Sequence, residues 1–257
     1  MIFSVALALG AVIGVLLGLL GGGGSILAVP ALVYGLGLDL EEAIPVSLIV
    51  VGVAAAVGAL PTIRARRVEW RLAGIFAIAG IPAAFAGNAV GKLLPDRALL
   101  IGFAVVMAIA GIRMLIDRDG SGVACRRTDA TINWRRCAAR SIPAGIAVGF
   151  LTGMFGVGGG FLIIPALVLL LGVPMHVAVG TSLVIIVANS ASGFMAHLGT
   201  ADIDWTVTGL FAGTAIAGSL IAARLGAGLD HRRLQRWFAY LVFVVAMFVV
   251  VESVFAH

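Results

Sequence analysis

The chain has 257 residues, of which 61% are apolar and only 11% are charged. Its mean hydropathy of +1.16 excludes a soluble globular protein, because too few polar side chains are present to cover the surface, and predicts an integral membrane protein. The net charge of +5 does not indicate nucleic-acid binding. The basic residues lie in short connectors between apolar runs, where the topology rule for membrane proteins accounts for them.

Ten apolar runs follow one another along the chain. Those of the first half lie at about 3–20, 25–37, 43–62, 70–91 and 97–116, and those of the second half at about 140–155, 160–173, 176–197, 205–225 and 232–254. A helix needs about 20 residues to cross a bilayer. The third, fourth and fifth runs of each half meet that length, whereas the second runs fall short, so we expect half-helices or strongly tilted segments there. The first run lacks the basic start of a signal peptide and is interpreted as a retained helix.

Two glycine-rich stretches interrupt this apolar pattern, one in each half. They are Gly18–Pro30 and Gly153–Pro165, and each ends in a proline. Inside a helix, glycine costs about 1 kcal/mol and proline about 3 kcal/mol relative to alanine. Two such interruptions would lower the stability of the helices without benefit unless the backbone there has a function, so both stretches are candidate functional segments.

The second stretch repeats the first at an offset of 135 positions. This offset places Gly18 on Gly153 and Pro30 on Pro165. Over residues 14–60, eighteen of forty-seven positions are identical, where a composition rich in small apolar residues gives about one in ten by chance. The match continues without gaps into the fifth run of each half. Each half is therefore predicted to be one structural repeat.

Arginines predict how these repeats lie in the membrane. Seven of them flank or occupy the connector between the halves, which should therefore be cytoplasmic. They are Arg113, Arg118, Arg126, Arg127, Arg135, Arg136 and Arg140. Five segments per repeat then make the two repeats run in opposite directions, as in secondary transporters, and leave both termini periplasmic. If the first two segments of each repeat enter the membrane and return on the same side, the later loops keep the same sides, so the arginines do not distinguish this arrangement from two full spans.

The predicted fold is thus an all-α integral membrane protein with two inverted repeats of five membrane segments each. The first repeat covers 1–116, the cytoplasmic arginine-rich connector 117–139, and the second repeat 140–257. Short or re-entrant helices broken by glycine are expected in each repeat. Irregular backbone of that kind is tolerated only where it is buried in protein or lines a cavity.

The glycine stretches are candidate anion-binding elements. A helix that begins after a break offers unpaired N–H groups and the positive end of its dipole, and the missing Cβ atoms let a ligand approach closely. In inverted repeats, two such starts meet near the midplane. The predicted contacts are Gly22, Gly23, Gly24, Ser25, Gly158, Gly159 and Gly160. Close helix packing is the alternative role of these glycines. A nucleotide-binding loop is not predicted, because the chain lacks the G-x-x-x-x-G-K-[ST] pattern.

A stripe of polar residues follows in the third run of the second half. At 100° per residue, Thr181, Ser182, Asn189 and Ser192 fall within an arc of about 100°, so the stripe should face a cavity or another helix. The first half keeps only Ser47, which matches Ser182. The alternative for each hydroxyl is a bond back to its own helix. An amide in the membrane needs a partner, which makes Asn189 a stronger candidate than the second amide, Asn88.

Two further residues are candidates for proton transfer or gating. His197 could carry protons, because an ordinary histidine side chain has a pKa near physiological pH, although a helix cap at the outer interface is the alternative. Arg64 belongs to a basic loop that marks the cytoplasmic side and could also gather anions there. Cys125 and Cys137 are expected to be free thiols, and no third or fourth ligand accompanies them, so no metal site is predicted.

Enzymatic activity is not expected. The chain lacks the G-x-S-x-G and H-E-x-x-H patterns and paired carboxylates of hydrolases, and no cofactor is predicted. No acidic or basic residue lies deep inside a predicted span, which disfavours a cation-coupled carrier with a buried carboxylate.

The duplicated motif resembles the TauE/SafE sulfite exporter family of bacterial inner-membrane permeases. Each copy reads G-x-x-G-x-G-G-G/S, followed by an apolar turn, by Pro-Ala-Leu and then by a helix with a Ser-Leu pair. The resemblance covers the whole chain outside the 117–139 connector. It implies export of sulfite or a related small sulfur-containing anion such as sulfoacetate. Ser25 replaces the last glycine of the first copy, so the two copies are expected to contribute unequally to the site.

Three functions therefore stay open. A carrier for small oxyanions is favoured, an anion channel with the same half-helix filter is the second, and a non-transporting membrane scaffold or sensor is the third. The expected partners are a small anionic substrate and the lipid bilayer of the bacterial inner membrane, without nucleic acid. A homodimer is compatible with the sequence.

Overall fold

The protein is described by a computed structural model that covers residues 2–116, 134–155, 160–197, 205–226 and 231–255. These residues form ten α-helices. In chain order they are α1 (Ile2–Leu20), α2 (Gly23–Leu36), α3 (Leu40–Arg64), α4 (Trp70–Gly91), α5 (Asp96–Ile116), α6 (Trp134–Phe155), α7 (Gly160–Pro165), α8 (Met175–His197), α9 (Trp205–Gly226) and α10 (His231–Phe255). A π-helical turn, Ala166–Leu170, follows α7.

Five segments within the described helices are long and apolar enough to cross a membrane. They are Glu42–Arg64, Trp70–Gly91, Cys137–Phe155, Met175–Met195 and Thr208–Leu225. Only 22% of the apolar window in Trp70–Gly91 is buried inside the protein, so its remaining apolar surface suits contact with lipid. The prediction of an all-α membrane protein is confirmed.

The start of α6 is the main difference between the predicted runs and the helices. The apolar run begins near residue 140, whereas α6 begins at Trp134. Its first turns carry Arg135, Arg136 and Arg140, which favour a helix but lower the hydropathy on which the run was recognised. The rest of the predicted connector, residues 117–133, lies outside the described residues.

The second apolar run of each half forms a short helix. α2 has 14 residues, which makes it about 21 Å long, and a bilayer core is about 30 Å thick. α7 has six residues before the π-helical turn. Both segments end at a glycine in the left-handed conformation, Gly37 at φ 71° and Gly172 at φ 69°. Each glycine N–H donates to the carbonyl four residues earlier, on Val33 and Val168 respectively.

The chain divides into two compact units. Unit 1 comprises Met1–Ala73, Gly158–Phe161 and Val179–Leu229, and unit 2 comprises Gly74–Val157, Leu162–Ala178 and Asp230–His257. Each unit thus contains segments from both halves of the sequence.

Unit 1 is built on close packing between α1 and α9. A Cβ atom added to Gly14 would overlap the backbone of Ala215, and one added to Gly18 would overlap the carbonyl of Ser219. Small residues of this kind let membrane helices approach closely. The Ser219 hydroxyl donates to the carbonyl of Ala54 at 3.0 Å and so links α9 to α3.

Unit 2 contains a similar close pair, α4 and α6. A Cβ atom on Gly149 would overlap the backbone of Gly80, and one on Gly153 would overlap the backbone of Ala84. In the same unit, α5 packs against α10. The buried Gln235 fixes that pair, because its Nε2 donates to the Met114 carbonyl at 2.8 Å.

Cys137 near the start of α6 corrects one expectation. It is disulfide-bonded, so the prediction of a free thiol is wrong for this residue. Cys125 lies outside the described residues. The backbone around Cys137 is regular, and its carbonyl accepts a hydrogen bond of 2.6 Å from the Ser141 hydroxyl one turn later.

Candidate functional site

The two glycine-rich stretches meet inside unit 1. Gly22 is the N-cap of α2, and Gly160 is the first residue of α7. A Cβ atom added to Gly22 would overlap the carbonyl of Gly160, so the two backbones are in direct contact. A Cβ atom added to Gly160 would lie 2.7 Å from Ser25 Oγ and from Ile186 Cδ1. The place where Gly22, Ser25, Gly160 and Ile186 meet is named the glycine crossing.

Glycine is required at this crossing for two different reasons. Gly21 has φ 64°, a left-handed conformation that glycine adopts without strain and that turns the chain from α1 into α2. Gly22 has an ordinary helical φ of −72°, so only its contact with Gly160 excludes a side chain. Gly22 also offers no side chain to cap α2, and of the first-turn N–H groups the one on Ser25 donates to the Gly22 carbonyl at 3.3 Å.

Ile186 brings one face of α8 to the crossing. Ser182 and Asn189 lie four residues before and three residues after Ile186, which places all three on the same helix face. Ser182 and Ile186 are fully buried. The face of α8 that contacts Gly160 therefore also carries Asn189, one helical turn farther along.

Asn189 supplies an unpartnered polar atom. Its Oδ1 is buried and has no hydrogen-bond partner in the described part of the chain. Leaving such a group unpaired costs about 1–3 kcal/mol, and buried polar groups of this kind often mark the place of a ligand, a water or an ion. A side-chain amide both donates and accepts. Its N–H₂ group can therefore donate to an oxyanion directly, whereas the unpartnered Oδ1 is an acceptor and contacts an anion only through a bridging water or a protonated oxygen of the ligand.

Three serine hydroxyls of the predicted site bond to their own helices. Ser25 donates to the Gly22 carbonyl at 2.7 Å, Ser47 to Ile44 at 2.7 Å, and Ser182 to Val179 at 2.9 Å. A hydroxyl whose proton is engaged in this way offers only lone pairs to a ligand. The groups that can donate to an anion at the crossing are therefore backbone N–H groups and the amide of Asn189.

Thr181 has a partner that the sequence did not reveal. Its Oγ1 accepts a hydrogen bond of 3.1 Å from the backbone N–H of Glu69, 112 positions earlier. Glu69 lies in the turn between α3 and α4, and Thr181 is fully buried. The hydroxyl therefore joins α8 to that turn instead of facing an open cavity.

Residues 6–249 match the family model described as Sulfite exporter TauE/SafE. The chain belongs to the TauE/SafE family. It is 37% identical over 252 residues to a "Probable membrane transporter protein" of Xylella fastidiosa, a match that covers 95% of this chain and 93% of the relative. It is 27% identical over 266 residues to the "Probable membrane transporter protein YunE" of Bacillus subtilis, covering 97% and 96% of the two chains. No solved structure matches the chain.

Membership in the TauE/SafE family confirms two predictions. The resemblance drawn from the duplicated motif is correct, and the protein is a multi-pass membrane transporter and not an enzyme. In the parts of the chain that the structure describes, no group of three His, Cys, Asp or Glu side chains is placed to hold a metal ion.

The remaining predicted residues of this TauE/SafE protein lie around or outside the crossing. Gly24 packs against α1, since an added Cβ would lie 2.5 Å from the Ile13 carbonyl. The others are Gly23, which begins α2; Ser192, half-buried on α8; Arg64, exposed in the last turn of α3; and His197, the last residue of α8. Gly158 and Gly159 lie outside the described residues.

Proposed function

We propose that this chain exports sulfite or a related small sulfur-containing anion, bound at the glycine crossing. The observation that carries the proposal is the direct contact between the Gly22 and Gly160 backbones, which brings together two stretches 138 positions apart. The family description, Sulfite exporter TauE/SafE, supports the substrate class. A small oxyanion is the ligand that backbone N–H groups at a helix start bind best.

The anion is held without a buried cation. The residues of the crossing are neutral, so binding depends on the N–H groups of the first turn of α2, on its dipole, and on the amide of Asn189. Such dipoles contribute more in a site from which water is excluded than at a surface. The corresponding helix of the first half, α3, has Ala54 at the position that Asn189 occupies on α8. Only the second half therefore supplies an amide, and the site is asymmetric.

The site lies near the membrane midplane. This part of the proposal is supported by Ile186, which contacts Gly160 and is the central residue of α8. Most of α8, Met175–Met195, is long and apolar enough to cross the bilayer. The middle of such a helix falls at the middle of the hydrocarbon core.

Two inverted repeats, 1–116 and 140–257, are proposed as the scaffold. The proposal is supported by contacts that recur at the same offset in the sequence. Gly14 packs on Ala215 in unit 1, and Gly149 packs on Gly80 in unit 2. Gly149 lies 135 positions after Gly14, and Ala215 lies 135 positions after Gly80, so the second contact is the repeat counterpart of the first. The glycine C-caps of the two short segments are displaced by the same number.

Transport is tested first by replacing Asn189. In proteoliposomes loaded with sulfite, we expect Asn189→Ala to abolish measurable efflux at low substrate concentration, because a hydrogen bond to a charged ligand is worth about 1.5–3 kcal/mol, or about 10- to 100-fold in affinity. The matched control is Asn88→Ala, an exposed amide near the end of α4. Equal flux in Asn189→Ala and in the unaltered protein would remove Asn189 from the site.

The membrane potential is expected to drive efflux. A potential negative on the substrate side changes the free energy of an anion by about 2.3 kcal/mol per charge per 100 mV. Efflux of the sulfite dianion should therefore rise when this potential is imposed with a potassium gradient and valinomycin. If efflux ignores the potential and follows a pH gradient, transport is proton-coupled, and His197 becomes the first residue to replace.

The same vesicles distinguish the alternatives. Flux that saturates and is inhibited by a second anion indicates a carrier, whereas flux that rises linearly with concentration indicates an anion channel. Sulfite, sulfate, thiosulfate and sulfoacetate are compared in parallel. Lack of flux for all four would favour a membrane scaffold or sensor.

A further inference from the structure

The turn between α3 and α4 is strongly basic. Residues 64–71, named the basic turn, contain four arginines and a single carboxylate, that of Glu69. Arg64, Arg66 and Arg71 are exposed, and Arg67 is half-buried. The turn therefore presents several guanidinium groups on a short segment of backbone.

The backbone of the basic turn is held in one conformation. The N–H groups of Ala65, Arg66 and Arg67 donate to carbonyls of the last turn of α3 at 2.9, 3.0 and 2.9 Å. Arg66 adopts φ 53°, a left-handed conformation that is costly for a residue other than glycine. The surrounding bonds keep Arg66 in this conformation, so the arginines project from a fixed frame.

Contacts with α8 fix the turn a second time. Thr181 accepts the Glu69 N–H, as described above. Gly180 beside it allows close approach, because an added Cβ would lie 2.5 Å from the Arg67 carbonyl and 3.1 Å from Thr62 Cβ. A site that is ordered before its ligand arrives loses less entropy on binding.

The basic turn lies where a bilayer ends. It connects two segments that are long enough to cross the membrane, Glu42–Arg64 and Trp70–Gly91, through only five residues. Trp70 is 58% exposed at its end, and tryptophan prefers the level of the lipid headgroups. The arginines are consequently at the depth of lipid phosphates.

We propose that the basic turn binds the phosphate of an anionic phospholipid headgroup. Guanidinium groups bind phosphate through paired hydrogen bonds, and each basic residue near an anionic surface adds to the attraction. A lipid fits better than a dissolved anion, because its acyl chains would lie beside the apolar end of Glu42–Arg64 and the apolar start of Trp70–Gly91. The inference is independent of the transported substrate.

Thermal unfolding in a neutral detergent tests this proposal. Phosphatidylglycerol is expected to raise the unfolding midpoint by several degrees, because a ligand that binds only the folded state stabilises it. Phosphatidylcholine with the same chains, and inorganic phosphate, should give less than half of that shift. No difference between the two lipids would overturn the proposal, and an equal shift with inorganic phosphate would identify a site for free anions instead.

The location is tested with charge-matched variants. Arg66→Asn with Arg67→Gln should lose at least half of the shift caused by phosphatidylglycerol; asparagine is chosen because it tolerates the left-handed conformation. Arg113→Gln with Arg140→Gln removes two exposed charges elsewhere and should keep the full shift. Equal shifts in the two pairs would overturn the assignment. If the first pair does not fold, Arg67→Gln alone gives the same comparison against Arg113→Gln.

Discussion

Thr181 connects two segments that are distant in sequence, and we expect its hydroxyl to contribute to stability. Thr181→Val keeps the shape of the side chain but leaves the Glu69 N–H without its acceptor. An unpaired N–H costs about 1–3 kcal/mol, and the lower end applies because Glu69 is only half-buried. We expect the unfolding midpoint to fall by about 2–4 °C, the shift that 1 kcal/mol produces in a chain of this size.

The control for Thr181 is serine. Thr181→Ser keeps an oxygen acceptor at the same position, so it should retain more of the stability than valine does. Circular dichroism at increasing temperature measures both variants in the same detergent. A valine variant as stable as the unaltered protein would show that water replaces the lost acceptor and that the tether contributes nothing.

At the level of secondary-structure elements, the contact between the starts of α2 and α7 requires that Gly22 carry no Cβ. Gly22→Ala places a methyl group against the Gly160 carbonyl, and no side-chain rotation can relieve a clash with backbone. Overpacking of this kind costs about 1–3 kcal/mol. We expect lower stability and loss of sulfite efflux in proteoliposomes.

Gly209 provides the matched control for Gly22. It lies in a helix of the same unit, and an added Cβ would have no neighbour within 4 Å. Gly209→Ala should therefore leave efflux unchanged and increase stability slightly, since alanine favours a helix. Equal efflux in the two variants would contradict a functional role for the crossing.

Hydropathy and repetition were sufficient to predict the elements, because both can be read from the sequence without knowledge of how the helices pack. The apolar runs match the helices apart from the start of α6 and the π-helical turn after α7, and the offset of 135 positions identifies the two stretches that meet at Gly22 and Gly160. The contact between Thr181 and Glu69 left no local signal, since it depends on packing across 112 positions. The serine hydroxyls were ambiguous for a similar reason: a serine that bonds its own helix has the same sequence as one that binds a ligand.

The second copy of the motif also behaves differently from the first in a way that composition does not reveal. α2 continues through Pro30 as an α-helix, whereas α7 changes into a π-helical turn directly after Pro165. Proline removes one backbone donor from either helix. The two copies thus differ in backbone geometry although both keep the proline.

At the scale of the whole molecule, each unit combines segments from both halves of the sequence. In unit 1, α1 from the first half packs on α9 from the second, and in unit 2, α4 packs on α6 in the same manner. Neither half of the sequence forms a unit alone. The two halves must therefore both be synthesised before either unit can be completed.

Orientation in the membrane is the property on which two observations disagree. The arginines predict a cytoplasmic connector, whereas the disulfide at Cys137 is more typical of the periplasmic side. We favour the cytoplasmic assignment in the bacterial inner membrane, because seven arginines flank or occupy the connector. With this orientation, the proposed export would start from the side of the basic turn.

Chemical labelling of single introduced cysteines tests this orientation. In a background with Cys125→Ser and Cys137→Ser, Ala65→Cys marks the exposed turn after α3 and Asp39→Cys marks the exposed loop before it. The two positions flank one membrane-length helix, so they must lie on opposite sides. A membrane-impermeant maleimide should label Asp39→Cys in spheroplasts and Ala65→Cys only in inverted vesicles. The reverse pattern would place the basic turn and the connector in the periplasm, where a disulfide at Cys137 would be expected.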